Sequence, residues 1–102
     1  MIINVCNKYL EKHRFSEKPL HRFSSFKCEY DPEKNAYRII KRNGTIGSEG
    51  RITVKYITKG EKDHTVHQQA KYRFDLLVRQ DEKRGYEIIK DKSSLWQYPN
   101  KQ

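Results

Sequence analysis

Hydrophobic and polar residues alternate almost without a break between Thr65 and Arg79. The even positions are mostly apolar, among them Phe74 and Val78, and the odd positions are mostly polar, among them Lys71. Successive side chains of a β-strand point to opposite faces, so this pattern predicts one long strand with a core face and a solvent face. The rest of the predicted fold is arranged around this strand.

Shorter alternating segments, separated by turn-forming residues, predict further strands. The turn DPEKN at residues 31–35 is the best defined, because Pro32 presets its first position and Asn35 tolerates a left-handed backbone. Gly85 is expected to take a positive φ in the turn before the last strand. The predicted strands are residues 22–30, 36–42, 51–58, 65–79 and 86–90.

The N-terminal segment shows a different period. Ile2, Val5, Cys6, Tyr9 and Leu10 recur at steps of three and four residues, which predicts an amphipathic helix over residues 2–13. Sequential strands joined by short turns pair antiparallel. We therefore predict a single α+β domain over residues 1–102. Its N-terminal helix packs on a four- to five-stranded antiparallel meander, and its tail covers residues 91–102.

Composition and charge extend this prediction. The chain has 102 residues, of which 34% are hydrophobic, and it carries a formal net charge of +9. A small, aromatic-rich core is therefore expected. The charge favours attraction to a polyanion, although a lysine-rich domain that binds no polyanion would have the same composition.

The third and fourth predicted strands place their cations on one solvent face. A cationic sheet face can follow a phosphate backbone, and we predict a non-catalytic module that contacts nucleic acid or an acidic protein surface there. Because Tyr56, Tyr72 and Phe74 fall on the core parity, base stacking is not expected. The predicted contact residues are Arg51, Lys55, His67, Lys71 and Arg73.

Two alternatives follow from other residues. A protein-interaction or homodimeric module would use either the exposed sheet face or the apolar residues of the tail, which are expected to fold over an edge or end of the sheet. The tail residues are Leu95, Trp96 and Tyr98. A metal-free ribonuclease would need acid–base groups and cations gathered in a cleft, for which His67, Lys71, Arg73 and Glu87 are the candidates.

The sequence offers little for metals, cofactors or disulfides. His64 and His67 would point to opposite faces of a strand, no zinc-ligand spacing is present, and no cofactor is predicted. Cys6 and Cys28 are expected to be reduced and buried, which favours the cytoplasm, with one bridge between them as the alternative. The segment from Met1 lacks the pattern of a secretory signal, and no apolar run approaches the ~20 residues of a membrane span.

The C-terminal part of the sequence resembles a known pattern. Tyr72–Val78, a charged turn, and Gly85–Ile89 resemble the last two strands of NTF2-like and cystatin-like α+β domains. The resemblance implies a curved antiparallel sheet wrapped by a helix, in a binding or dimerising module. It does not imply protease inhibition, because the cystatin QxVxG motif is absent.

Overall fold

The computed structural model describes residues 1–99, which form five strands and one long helix. The strands pair antiparallel in the order β4-β3-β2-β1-β5, and the helix α1 packs on one face of the sheet. A short 3-10 helix at Lys90–Lys92 follows β5. The elements in chain order are β1 Ile3–Arg14, β2 Leu20–Asp31, β3 Ala36–Thr45, β4 Arg51–Ile57, α1 Val66–Lys83 and β5 Glu87–Ile88.

The fold class predicted from the sequence is correct at the level of one small α+β domain with an antiparallel sheet, but the position of the helix is wrong. Ile3–Arg14, which includes nearly all of the predicted helix, is a strand, because its apolar side chains lie on both faces of the sheet. Cys6 and Leu10 are buried on the face under α1, whereas Tyr9 is half-buried on the other face. A bulge between Asn4 and Cys6 adds a residue to the strand. Together these features imitate the three- and four-residue steps of a helix.

The predicted long strand at residues 65–79 is in fact the helix. Val66, Ala70, Phe74 and Val78 are spaced by four residues, a step that keeps residues on one face of either a strand or a helix. Thr65 caps the helix. Its hydroxyl accepts from the Gln68 N–H at 3.1 Å, and the Gln68 side chain accepts from the Thr65 N–H at 2.9 Å.

The two hairpins of the first half were predicted well. β2, β3 and β4 lie where the sequence indicated, and Asn35 adopts the expected left-handed backbone with φ 48°. Gly85 also has a positive φ, 96°, although it follows a helix rather than a strand. Of the last predicted strand, residues 86–90, only Glu87–Ile88 is a strand in the structure.

The assignment of faces in β4 is reversed from the prediction. Ile57 and Lys55 lie opposite Tyr37 and Ile39, two buried residues of β3 under α1, so the odd residues of β4 share that face. The even residues therefore point away from the helix. They are the exposed side chains of Ile52, Val54 and Tyr56, at 63%, 40% and 69% of full exposure.

A buried carboxylate fixes α1 on the sheet. Asp81 is 2% exposed, and its carboxylate accepts from the Ser24 hydroxyl of β2 at 2.5 Å. The Lys41 ammonium of β3 lies 3.2 Å from the same carboxylate, and the Arg84 guanidinium lies 3.5 Å from it. Three elements therefore meet at one side chain, which specifies how far along the sheet the helix sits.

Removing this carboxylate should cost much stability. We expect Asp81→Ala to lower the free energy of unfolding by about 3 kcal/mol, the lower end for a broken buried pair because Lys41 keeps some solvent contact. Urea titration followed by circular dichroism measures the loss. Asp75→Ala is the matched control, since Asp75 forms an exposed pair with Lys71 at 2.7 Å and its loss should cost about 0–1 kcal/mol. Equal losses in the two variants would contradict the role given to Asp81.

Candidate nucleic-acid interface

The five contact residues predicted from the sequence do not form one surface. Arg51 and Lys55 are exposed on the odd-numbered face of β4, whereas Lys71 and Arg73 lie on α1. On a helix, residues two apart point about 200° away from each other, so Lys71 and Arg73 face different ways. Lys71 is held by Asp75, whose hydrogen bond raises the pKa of the ammonium. The continuous cationic face expected from a strand pair is therefore absent at these positions.

His67 belongs to the packing between α1 and the sheet. Its Nδ1 lies 2.6 Å from the Tyr37 hydroxyl, and its ring contacts the rings of Tyr30 and Tyr37. Burial raises the pKa of the Tyr37 hydroxyl, which keeps it protonated. His67 therefore packs against the edge of the hydrophobic core.

The residues proposed for a ribonuclease are also separated. Glu87 lies beside β1 close to Leu10, and Leu10 is paired with Ser24 of β2. His67, in contrast, contacts Tyr30, which lies farther along β2. Tyr30 lies six residue steps along β2 from Ser24, which corresponds to about 20 Å along the sheet. The described residues 1–99 also contain no cluster of three metal-ligating side chains.

The tail folds back over an edge of the sheet, as the sequence indicated. Trp96 packs beside Tyr37 and Phe74, with ring centroids 6.1 and 5.7 Å away. Leu95 stays 80% exposed, and Tyr98 stays half exposed against Trp96. Of the three residues proposed for partner binding, Trp96 therefore packs against the hydrophobic core, whereas Leu95 and Tyr98 are exposed and could contact a partner. Residues 100–102 of the predicted tail lie outside the described residues.

The two cysteines lie opposite each other on β1 and β2, under the helix. Both are buried free thiols, and burial raises the pKa of each. The Cys6 thiol also donates to the Ser94 carbonyl at 3.4 Å, which helps to hold the tail. Protonated, buried thiols of this kind are poor nucleophiles.

Cations gather on the face of the sheet opposite α1, which we call the open face. It comprises the outward side chains of β1 to β4. Lys27 and Arg42 are exposed there and have no carboxylate partner among residues 1–99. Arg38 lies between them and the end of the sheet, where its Nε donates to Glu29 at 2.6 Å. Among residues 1–99 the open face therefore carries two cations without a carboxylate partner, neither of which is among the contact residues predicted from the sequence.

Aromatic rings lie on the same face. Tyr9 stacks on Phe23 with centroids 6.2 Å apart, and the Arg42 guanidinium lies 5.9 Å from the Phe23 ring. Tyr56 projects from β4 with most of its ring exposed. Neither Tyr56 nor Tyr72 is a core residue, so the sequence argument against base stacking loses two of its three aromatic residues, of which Tyr56 lies on the open face. The hairpin register could have revealed this face, because Lys27, Arg38 and Arg42 alternate with the core residues Phe26, Cys28 and Ile39.

A cleft of about 340 Å³ opens beside Tyr56 at one end of this face. The Tyr56 ring, the Arg38 side chain and the aliphatic Ile2 form part of its lining. Glu29, Asp31 and Lys34 add two carboxylates and a further cation. The volume and the mixed lining suit a small planar polar group, with carboxylates able to accept hydrogen bonds from amino groups.

A chain of polar contacts lies at the other end of the open face. The Tyr9 hydroxyl donates to Glu11 at 2.9 Å, and the other Glu11 oxygen lies 3.0 Å from Nε2 of His13. Nδ1 of His13 in turn lies 2.7 Å from Nδ1 of His21. The hydrogen bonds from His13 and then Tyr9 lower the pKa of Glu11, while burial and the bond to Glu11 raise the pKa of Tyr9.

The chain was compared with protein-family models, with curated proteins and with solved structures, and none of them matched. The resemblance to NTF2-like and cystatin-like domains therefore stays a prediction. The strand pair on which it rested is wrong in one half, because Tyr72–Val78 is helical. No helix in residues 1–99 is long and apolar enough to cross a membrane.

The lowered pKa of Glu11 gives a test of the polar chain. His13→Ala removes the main hydrogen bond to this carboxylate, so we expect its pKa to rise toward the ordinary value in an NMR titration of the side-chain carbon. A folded-state pKa below the unfolded value contributes stability above the unfolded pKa, and this is lost as pH falls through the folded pKa. His13→Ala should therefore lose less stability than the wild type on acidification. His21→Ala leaves the Glu11 bond in place and should change the pKa less, and an unchanged pKa in His13→Ala would disprove the assignment.

Proposed function

We propose that this protein is a non-catalytic module that binds single-stranded nucleic acid across the open face of its sheet. The observation that carries the proposal is the combination, on one surface, of two cations and two aromatic side chains. The cations are Lys27 and Arg42, which have no carboxylate partner among residues 1–99, and the aromatic residues are Tyr9 and Tyr56. Proteins that bind single strands combine these elements, because cations contact the backbone and aromatic rings stack on bases. A net charge of +9 supports attraction to the same ligand.

The two ends of the open face would have different roles. Lys27 and Arg42 lie near its centre. The nearest carboxylate along β2 in the described residues, Glu29, is paired with Arg38, so phosphate groups can approach the two cations. The cleft beside Tyr56 contains Glu29 and Asp31, which repel phosphate but accept hydrogen bonds from base amino groups. The backbone would therefore follow the central cations, and a splayed base would enter the cleft against Tyr56.

The proposal keeps the polyanion inferred from the sequence and changes the surface that contacts it. Two double variants, each of which removes two positive charges, test which of the two surfaces binds nucleic acid. Lys27→Ala with Arg42→Ala alters the open face, and Lys71→Ala with Arg73→Ala alters the helix. Both double variants lower the net charge equally, so a general electrostatic effect would act equally on both.

Salt dependence measures the contacts directly. Fluorescence anisotropy with a labelled single strand of about 12 nucleotides, within the range covered by one small domain, gives the dissociation constant across a salt series. We expect the open-face double variant to bind more weakly and to reduce the slope of log affinity against log salt by about 1.4, since each backbone contact on a single strand contributes about 0.7. A slope that falls only in the helix double variant would support the location predicted from the sequence. Affinity that does not fall with salt would exclude both locations.

Stacking on Tyr56 gives a separate prediction. Tyr56→Ala should weaken binding of the same labelled strand by about 1–3 kcal/mol, or roughly 5- to 150-fold, without changing the salt slope. Tyr72→Ala is the matched control, because Tyr72 is also an exposed tyrosine but lies on α1. Equal effects of the two substitutions would show that Tyr56 does not stack on a base.

A further inference from the structure

The two edges of the sheet differ in whether another segment of the chain covers them. The outer edge of β1 is covered by β5 and then by the tail. The Ile89 N–H donates to the Tyr9 carbonyl at 2.8 Å, and the Tyr9 N–H donates to the Ser93 hydroxyl at 3.0 Å. The same pattern continues where Ser94 bonds both backbone groups of Asn7. From Val5 to Glu11 this edge is therefore closed to other strands.

The opposite edge, β4, is not covered by any segment of the described residues 1–99. All residues from Arg51 to Tyr56 are exposed, and the strand contains neither a proline nor a bulge. Natural edge strands usually carry such features to prevent pairing with another chain. Only the cations Arg51 and Lys55 could serve this purpose, and both lie on the odd face. β4 thus combines an open edge with exposed apolar side chains.

The direction of the backbone groups along β4 follows from the observed pairing. Tyr9 points its N–H and C=O toward the tail, so Leu10 must point toward Ser24 of β2. By the same alternation Ser25 points toward Arg42 of β3.

The alternation then reaches the edge strand. Lys41 points its backbone groups toward Thr53, so the neighbours of Thr53 point theirs outward. Ile52, Val54 and Tyr56 therefore present outward backbone groups as well as exposed side chains. Within residues 1–99, none of these three backbones bonds to any segment beyond β3.

The sequence of β4 fits its own antiparallel copy. When Val54 lies opposite Val54 of the second copy, Ile52 lies opposite Tyr56, and Thr53 lies opposite Lys55. No like charges face each other directly, and the Ile–Tyr pair is a favourable cross-strand combination. A shift of two residues either way places Lys55 opposite Lys55, or Arg51 opposite Lys55. One register is therefore preferred over its neighbours.

We propose that two copies of this chain pair through β4, antiparallel and centred on Val54. The two five-stranded sheets become one sheet of ten strands, with both helices on one side and both open faces on the other. A symmetric pair of this kind is isologous, since the same patch is used twice. The dimer requires no nucleic acid, so it stands independently of the function proposed above.

The dimer is expected to be concentration-dependent. Strand pairing through the seven residues of β4 buries less than the roughly 1,600 Å² of a standard interface, and two copies of charge +9 repel each other. Sedimentation at increasing protein concentration in moderate salt should show the mass rise from 12.3 kDa toward twice that value. A mass that stays at one chain throughout the concentration series would overturn the proposal.

A cysteine at the symmetry axis tests the register. Val54→Cys places two thiols directly opposite each other at a distance that a disulfide can span, so mild oxidation should give a covalent dimer. Ile52→Cys is the matched control. Its two copies would be four residues, or about 13 Å, apart along the strands and should not join. Cross-linking in Ile52→Cys as efficient as in Val54→Cys would refute the register. The native Cys6 and Cys28 are buried and stay in both variants.

A charge at the axis tests the interface without a cysteine. Val54→Lys places two ammonium groups face to face and should keep the protein at the mass of one chain at concentrations where the wild type dimerises. An unchanged circular dichroism spectrum shows that the exposed substitution leaves the fold intact. A dimer as strong as that of the wild type would overturn the proposal. Pairing of β4 only with a strand of a different protein, detected as a complex while the chain alone stays monomeric, would also overturn it.

Discussion

The packing of α1 against the sheet determines what every other surface of the protein can do. An 18-residue helix cannot cover both faces of five strands, so it covers one, and the core forms between Ala70, Phe74 and Val78 and the buried side of β1 to β3. The buried Asp81 fixes the helix at its C-terminal end, and the Tyr37–His67 contact fixes it near its N-terminal end. The other face of the sheet, the open face, is exposed to solvent, and it carries the candidate interface.

The open face differs from an ordinary solvated sheet surface in its composition. Charges on such a face commonly pair with one another, as Arg38 does with Glu29. Lys27 and Arg42 have no such partner in the described part of the chain, and two tyrosines of the same face, Tyr9 and Tyr56, are partly exposed. Each feature alone has a structural explanation, because cations deter aggregation and tyrosines tolerate solvent. Their combination on one surface favours an anionic, aromatic ligand.

The sequence predicted the hairpins because their turns carry local chemical signals. Pro32 and Asn35 specify a tight turn, and the strands on either side follow from it. The segment 65–79 lacked such a signal at the level of hydrophobicity, since its apolar residues four apart satisfy the period of a strand and that of a helix. The capping residues Thr65 and Gln68 carried the information that distinguishes the two. The prediction for β1 was wrong for the opposite reason, because a bulge and apolar side chains on both faces broke the regular alternation.

The sequence could predict the class of ligand for the candidate site but not the location of the site. Net charge indicates a polyanion, but the location of the contact depends on which parity of each strand faces the helix. That choice was wrong for β4, because an edge strand with both faces exposed places its apolar residues wherever the neighbouring register requires. With β4 reversed, Tyr56 moves from the expected core to the open face. Long-range pairing, which composition does not reveal, therefore decided the location of the site.

The tail that lies along β1 also limits how many molecules can assemble. A sheet with two uncovered edges can add copies at both ends and grow into a filament, because each addition exposes a new edge. Ser93 and Ser94 satisfy the backbone of β1 with their own hydroxyls, and so remove one of those ends. Association through β4 is then expected to stop at two molecules. A few residues at the end of the chain thus separate a finite assembly from open-ended aggregation.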